Sequence, residues 1–358
     1  MAKAYRTVSH EALCVVTGMM PIDIKIEEAA RLYQITKGTN NNNTLFDKDM
    51  EVRYWQHPAE ASIRNTDGKE ETGSLHIYTD GSKTEKGVGS GIAIFESGQH
   101  IKSIQRRLNK KCTNNQAEQL AILAALQYIE KTHRTDKKVT IYTDSKITLD
   151  KLQNTEIHTY IIEEIRRKII EMTRTSWEIT LCWIKAHSGI FGNEIADTLA
   201  KKAMSNESLR EEYNRIPKSV LTREIEEESV KKWQRKWTQT TKGSITKEYF
   251  PNVEDRLNMK INLTQNLAAI LTGHGKTKSY LHRFKIIKEP TCPCGTAEQT
   301  TEHLIYECKK LTKEREKLKT TALQKGSWPT KKKDLIREHY REFVKFVNEI
   351  PFDKLNAE

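Results

Sequence analysis

No stretch of apolar residues in this 358-residue chain approaches the roughly 18–20 needed to cross a bilayer. The start, Met1-Ala2-Lys3, has none of the apolar core of a secretory signal peptide. There is no internal repeat, which sets aside solenoids and repeat arrays. The six cysteines do not form the framework of a small secreted domain: Cys14, Cys112 and Cys182 are scattered, and only Cys292, Cys294 and Cys308 cluster. These absences predict an intracellular protein, nuclear or cytoplasmic, with no membrane partner. The length suits two or three domains of about 100–200 residues each.

What the chain does have is positive charge, unevenly spread. Of the net +12, residues 205–358 contribute +9 (31 Lys and Arg against 22 Asp and Glu), and residues 1–204 only +3 (29 against 26). A basic surface favours polyanions, nucleic acid above all, because neutralising phosphates releases their counterions. A merely solvated basic face is the plainer alternative.

Pattern divides the chain into regions. Residues 1–73 read as a helical segment and linker: a polar start near Ser9 precedes Ala12, Leu13, Val15 and Val16, a second amphipathic run follows Pro21, and the tract Asn40–Asn43 opens a polar stretch to about Gly73. Residues 74–204 change to short strands and helices. Strands are predicted at Leu75–Asp80 (broken by Gly81), Ser90–Glu96, Ile101–Leu108, Val139–Thr143 and Trp177–Ile184, with a hairpin turn at Ser97-Gly98. Helices are predicted over Asn115–Lys131, around Ile147–Leu152 and Tyr160–Met172, and over Asn193–Met204. That order implies an α/β fold, a five-stranded mixed sheet flanked by helices. Residues 205–358 read as basic and helical, with Trp233 and Trp237 on one helical face.

Four carboxylates recur at telling places. Asp80, in Tyr78-Thr-Asp-Gly-Ser, and Asp144, in Tyr142-Thr-Asp-Ser, end two near-identical strands, so the pair would stand side by side if those strands were neighbours. Like charges at close range repel, and a divalent cation is the usual remedy. Glu118 and Asp197 each fall in the first turns of a helix. With Asn115 as the N-cap, Glu118 would take the acidic place of a capping box, an ordinary structural role. Asp197 could likewise merely complement a helix dipole.

Taken in order, Tyr-Thr-Asp80-Gly-Ser, Thr113-Asn-Asn-Gln-Ala-Glu118, Tyr-Thr-Asp144-Ser and Trp183-Ile-Lys-Ala-His187, with Asp197 ten residues on, resemble type 1 ribonuclease H over about Ser74–Met204. The resemblance implies a metal-dependent endonuclease that hydrolyses the RNA strand of RNA–DNA hybrids. Asp80, Glu118, Asp144 and Asp197 would hold two Mg²⁺ ions, or Mn²⁺, and His187 would assist proton transfer or product release. It also implies substrate contacts by Gly81, Ser82, Asn114, Asn115, Gln116 and Ser145, since amides and backbone groups suit a 2′-hydroxyl. The interval from Asp144 to Trp183 has room for two helices and little else, so the basic protrusion of some family members is expected to be missing.

Cys292-Pro-Cys294, His303 and Cys308 have the spacing C-x-C-x8-H-x4-C. Three thiolates and an imidazole make a closed tetrahedral set suited to structural Zn²⁺. Trp233–Trp237, Leu271-Thr-Gly-His-Gly275, Tyr280-Leu-His-Arg-Phe284 and this cluster look like the tail of non-LTR retrotransposon polyproteins. Ala4–Ser9, Glu11–Cys14 and Pro21-Ile22 look like the end of a reverse transcriptase. No Tyr-x-Asp-Asp polymerase signature occurs. The expectation is a terminal fragment, or a truncated or domesticated copy, of such a polyprotein. It would serve reverse transcription, with an upstream polymerase and further nucleic acid as partners. The alternatives are a catalytically silent nucleic-acid-binding module, or another nuclease or integrase of the same fold.

Overall fold

The structure, a computed structural model, describes residues 3–37, 46–52, 57, 59, 64–66 and 74–356. The asparagine tract expected as a linker lies outside the described residues. The chain divides into two compact units, one of Leu32–Arg223 and one of Met1–Arg31 with Glu224–Glu358.

The strands are β1 (Arg64–Thr66), β2 (Leu75–Thr84), β3 (Gly87–Glu96), β4 (Gln99–Leu108), β5 (Lys138–Thr143), β6 (Glu178–Trp183) and β7 (Glu211–Tyr213). The helices are α1 (His10–Thr17), α2 (Ile22–Lys37), α3 (Asn114–Glu130), α4 (Lys146–Gln153), α5 (Tyr160–Arg174), α6 (Phe191–Ser205), α7 (Lys218–Gln239), α8 (Ser244–Tyr249), α9 (Val253–Leu257), α10 (Gln265–Thr272), α11 (Lys278–Arg283), α12 (Thr312–Lys325), α13 (Lys332–Arg337), α14 (Tyr340–Glu349) and α15 (Phe352–Asn356).

In the first unit the strands form one mixed sheet, ordered β1-β6-β5-β2-β3-β4-β7. The five expected strands are its centre. The short β1 and β7 extend its edges by parallel pairing with β6 and β4. A three-residue strand as polar as Glu211-Glu-Tyr213 has no alternation to betray it. One expectation needs correcting: Gly81 does not break the first strand, because β2 stays paired with β3 as far as Thr84–Gly87. The Ser97-Gly98 turn has positive φ at both residues (47° and 80°), as a tight two-residue hairpin requires.

Alternation on β2 sends Leu75 and Ile77 into the core, where Ile141 and Leu181 of the neighbouring strands join them. α3 covers this face with Leu120, Leu123, Ala124 and Leu126, and α5 adds Ile161, Ile162, Ile165 and Ile169. Only α4 and α5 lie between β5 and β6, so the interval holds the expected two helices. On the other face α6 sits directly on the β3 backbone. A Cβ on Gly91 would come within 2.1 Å of the Ala196 carbonyl oxygen, so only glycine fits.

In the second unit Ser9 caps α1, its Oγ accepting the Ala12 amide at 3.2 Å. Ala12, Val15 and Val16 share a core with Trp233, Trp237, Leu267, Leu271, Phe343 and Phe346. The start of the chain thus packs with its end, a pairing no local pattern displays. Both tryptophans of α7 are buried together as their spacing predicts, and the Trp237 indole donates to the Phe250 carbonyl at 2.7 Å.

Candidate active site

β2 and β5 are parallel neighbours, with Tyr78 opposite Tyr142 and Thr79 opposite Thr143. The next residues, Asp80 and Asp144, therefore emerge side by side where this pairing ends. Stacked Tyr78 and Tyr142 rings (centroids 4.6 Å apart) and a Thr79 hydroxyl donating to the Tyr142 carbonyl at 2.9 Å fix that register. The Trp183 indole of β6 donates to the Asp144 carbonyl at 3.1 Å and steadies the turn that follows.

The third carboxylate comes from α3. The N-cap of α3 is Thr113, not Asn115, and Gln116 completes the capping box. Glu118 is therefore released from the capping role its neighbourhood suggested, and faces Asp80 and Asp144. A Cβ on Gly81 would lie 2.5 Å from the Glu118 amide nitrogen, so the missing side chain is what lets the helix approach. Carboxylate oxygens of Asp80, Glu118 and Asp144 all lie within 4.8 Å of one another.

Asp80 and Glu118 are nearly inaccessible, at 7% and 4% exposed. Burial first, then the charge of Asp144, pushes the Asp80 carboxyl up to about 7. Burial, then Asp80 and Asp144, holds Glu118 well above the ordinary carboxylate range. Burial also raises Asp144. Glu118 Oε2 is buried with no hydrogen-bond partner among the described residues. Crowded oxygen donors, one of them orphaned, with carboxylates alone making up the converged group, fit a hard divalent cation.

These shifts have a consequence for stability. The folded carboxyls titrate above their unfolded values, so their stabilisation is complete at acid pH, below the ordinary Asp value of 3.8, and is lost as pH rises towards about 7. Without added Mg²⁺ the thermal midpoint of the parent chain is expected to fall over that range, and Mg²⁺ to restore it. Glu118→Gln removes one of the crowded charges and should flatten the slope. Parallel pH profiles for parent and variant would contradict this account.

Asp197, on α6, is not among the three converged carboxylates. Its Oδ2 accepts from Lys201 Nζ at 2.7 Å, yet its charge still raises Asp80. His187 lies exposed in the turn after β6 at φ +52°, and its charge works to lower Asp144. Among the residues expected to contact substrate, Asn114 is exposed, Asn115, Gly81, Ser82 and Ser145 are half-buried, and Gln116 is buried. Gln116 is fully occupied: its Nε2 donates to Asp47 Oδ2 at 2.8 Å and to the Arg215 carbonyl at 3.1 Å, and its Oε1 accepts from the Thr113 amide at 2.9 Å. It positions the end of α3 and has no polar atom to spare.

Sequence reading missed this network. Tyr213 of β7 donates to Asp47 Oδ1 at 3.0 Å, and Arg215 lies over the Tyr160 ring at 3.8 Å. No motif marks Asp47; only its position beside the start of α3 does. Asp47→Ala strands the Tyr213 hydroxyl and the Gln116 amide, an expected loss of about 1–3 kcal/mol in urea unfolding. Asp47→Asn keeps an acceptor and should cost less; equal losses would contradict the network.

In the second unit the four expected zinc ligands converge, with donor atoms within 4.8 Å of one another. Cys292 Sγ and Cys308 Sγ are 3.7 Å apart, and Cys294 Sγ lies 3.2 Å from His303 Nε2. The knuckle closes through Gly295 (φ +76°), whose amide donates to the Cys292 carbonyl at 2.8 Å. His303 opens a π-helical turn to Glu307, and the wider turn brings Cys308 back to it, its amide donating to the His303 carbonyl at 2.8 Å. Glu307 Oε2 is 3.4 Å from His303 Nδ1, which leaves Nε2 facing the thiols.

A family model described as RNase H matches residues 72–205. The chain is 34% identical over 140 residues to a ribonuclease H of Francisella philomiragia, covering 36% of this chain and 89% of that protein. It is 29% identical over 171 residues to a retrovirus-related Pol polyprotein from a type-1 retrotransposable element R1 of Popillia japonica, covering 47% of this chain and 66% of that relative. For a second R1 polyprotein, from Bradysia coprophila, it spans 8% of the length at 35% identity. The crystal structure of RNase H1 from Halobacterium salinarum aligns over 36% of this chain and 96% of its own, with 22% identity and a TM-score of 0.30. Through the domain that bears Asp80, Glu118 and Asp144, the chain belongs to the ribonuclease H family.

Proposed function

We propose that this chain hydrolyses the RNA strand of RNA–DNA hybrids in a metal-dependent reaction that serves reverse transcription of a non-LTR retrotransposon. The convergence of Asp80 within β2, Asp144 just past β5 and Glu118 in the first turns of α3 carries the reading. Asp197 stands close enough for its charge to be felt and completes the donor set.

Two Mg²⁺ ions, or Mn²⁺, held by these four side chains would supply Lewis acidity for in-line displacement at phosphorus. The residues themselves perform the rest. Asp80 and Asp144 would present their carboxylate oxygens to those cations, side by side where the pairing of β2 with β5 stops. Lys201 Nζ donates to Asp197 Oδ2 at 2.7 Å and fixes where that carboxylate stands. Water adds its oxygen to phosphorus, the bond to the 3′ oxygen breaks, and that oxygen takes a proton. The products are a 5′-phosphate and a 3′-hydroxyl. His187, exposed beside Asp144, is placed to move that proton or to ease release. Asn114, Asn115 and Ser145, with the backbone at Gly81 and Ser82, neighbour the three carboxylates in the chain and would read a 2′-hydroxyl.

The Cys292–Cys294–His303–Cys308 set would hold a structural Zn²⁺, since all four positions come from protein. The basic second unit adds grip on nucleic acid, and a polymerase in a parent polyprotein is the natural partner, in nucleus or cytoplasm. No helix among the described residues is long and apolar enough to cross a membrane.

The test is cleavage of a labelled RNA–DNA hybrid with Mg²⁺ by the parent chain and by Asp144→Asn. Loss of cleavage in the variant alone supports hydrolysis at this site. No cleavage by the parent leaves the silent-module alternative, and equal cleavage by both removes the assigned site.

A further inference from the structure

Three segments with no part in the nuclease meet in the unit formed by Met1–Arg31 and Glu224–Glu358: Ala4–Ser9, Leu271–Gly275 and Tyr280–Phe284. Between them lies a cavity of about 300 Å³ whose lining includes Thr7, Ser9, Lys242, Ser244, His274 and Arg283. No Asp or Glu is among its described lining residues. Two cations, an imidazole and a ring of hydroxyls make a pocket for an anion with many acceptor oxygens.

The walls are held by close contacts. A Cβ on Gly275 (φ +105°) would lie 2.0 Å from the Tyr5 ring, so the N-terminal segment can rest only on a glycine there. The Thr7 hydroxyl joins the other two segments, touching the Tyr280 hydroxyl and standing 3.1 Å from His274 Nδ1. Burial, then the charge of Arg283, lowers His274, which leaves its ring a neutral hydrogen-bonding wall.

The two cations differ in how they are used. Lys242 Nζ is 3.4 Å from Glu11 Oε1 and is partly neutralised. No carboxylate pairs with Arg283 among the described residues, and its guanidinium extends beside the Phe284 ring, 5.8 Å from the centroid. Aromatic rings then run from the pocket to the surface. His274 and Tyr280 are 5.0 Å apart, Tyr280 and Phe284 4.7 Å, and Phe284 is 46% exposed.

We propose that this cavity binds a phosphate of single-stranded nucleic acid, with Arg283 and Lys242 holding its oxygens and Phe284 stacking an adjacent base. An anion pocket alone would suit any phosphate. The exposed ring beside the arginine is what selects a nucleic acid, and stacking on it requires an unpaired base. The site goes beyond the ribonuclease reading, because none of its residues belongs to the nuclease unit. It also gives the basic second unit a defined point of grip.

The experiment is fluorescence anisotropy with the full chain and short labelled oligothymidylate DNA and oligouridylate RNA, over a salt series. Phe284→Ala should weaken binding by about 5- to 150-fold, the range for losing one stacked base. Phe284→Tyr should restore it. Arg283→Ala should also weaken binding and reduce the salt slope by about 0.7, one phosphate contact on a single strand. Lys319→Ala, exposed on α12, is the control and should bind like the parent. The DNA and RNA arms show which strand is preferred. Parent-like binding by both Arg283→Ala and Phe284→Ala overturns the site, as does a loss in Lys319→Ala equal to theirs. Hybrid hydrolysis, measured separately, reports on the nuclease reading whichever way binding falls.

Discussion

Asp144→Asn is expected to slow hydrolysis of an RNA–DNA hybrid by about 10³-fold while the chain remains folded. A cation at a phosphoryl oxygen contributes several kcal/mol to the transition state, and each 1.36 kcal/mol is roughly a factor of ten. Asparagine has nearly the same shape, yet it replaces one ligand oxygen by an N–H₂ group that points donor hydrogens at the cation. The fold should not suffer. Asp144 stands within 4.8 Å of two buried carboxyls, so removing its charge relieves repulsion. Initial rates with labelled hybrid, set beside urea unfolding of both proteins, separate the effects. A variant that is inactive because it has unfolded would not count in favour; a folded variant with parent rates would defeat the assignment.

Removing zinc should have the larger structural effect. Structural Zn²⁺ contributes on the order of 10–16 kcal/mol in small metal-dependent folds. Cys294→Ser, or a strong chelator, should therefore abolish the cooperative unfolding of the Met1–Arg31 and Glu224–Glu358 unit. The ligands are ill-suited to remain bare. Burial pushes the Cys292 thiol up to about 12, so without a cation it stays protonated. Burial opposes ionisation of Cys294 too, but hydrogen bonds from Thr296, Cys292 and His303 bring it down to about 6. One thiol is ready to ionise beside another that resists, and a metal resolves the difference. The segment is also built into the core. Buried Arg315 donates to the carbonyls of Ile305 at 2.6 Å, Leu304 at 3.1 Å and Cys308 at 2.9 Å. Elemental analysis should find about one zinc per parent chain and none in the variant; zinc-free parent protein with a normal transition would rule the site out.

Much of this molecule was legible in the chain because its chemistry is local. Tyr-Thr-Asp-Gly-Ser and Tyr-Thr-Asp-Ser lie on neighbouring strands, β2 and β5, and their rings and hydroxyls lock the register between them. Cys292, Cys294, His303 and Cys308 fall within seventeen consecutive residues, so spacing alone suggested that they meet. Glu118 was harder. Its neighbours offered Asn115 as a cap, and only the Thr113–Gln116 box shows that the carboxylate is free for other work. Asp47, Tyr213 and Arg215 could not be read at all, since their partners are far along the chain and none sits in a motif. The helix α1 was foreseen from its Ser9 start, but its core partners, tryptophans and phenylalanines of the other end, were not. Gln116 was read as a substrate contact on family likeness; its bonds to Asp47 and Arg215 are a further role that no motif announced.

The Asp47–Gln116–Tyr213 network bears on where a working nuclease can be cut free. The family match stops at residue 205 and begins at 72. A fragment trimmed to those limits would leave behind Asp47 and Arg215, which hold Gln116 from outside, and the strand β7 that shields the edge of β4. Its α3 would start from a loosened first turn, and Glu118 would lose its fixed aim at Asp80 and Asp144. An exposed β4 edge would in addition invite pairing between copies. The smallest soluble, fully active piece should therefore begin ahead of Asp47 and run past Ile216, so the useful scissors are longer than the blade.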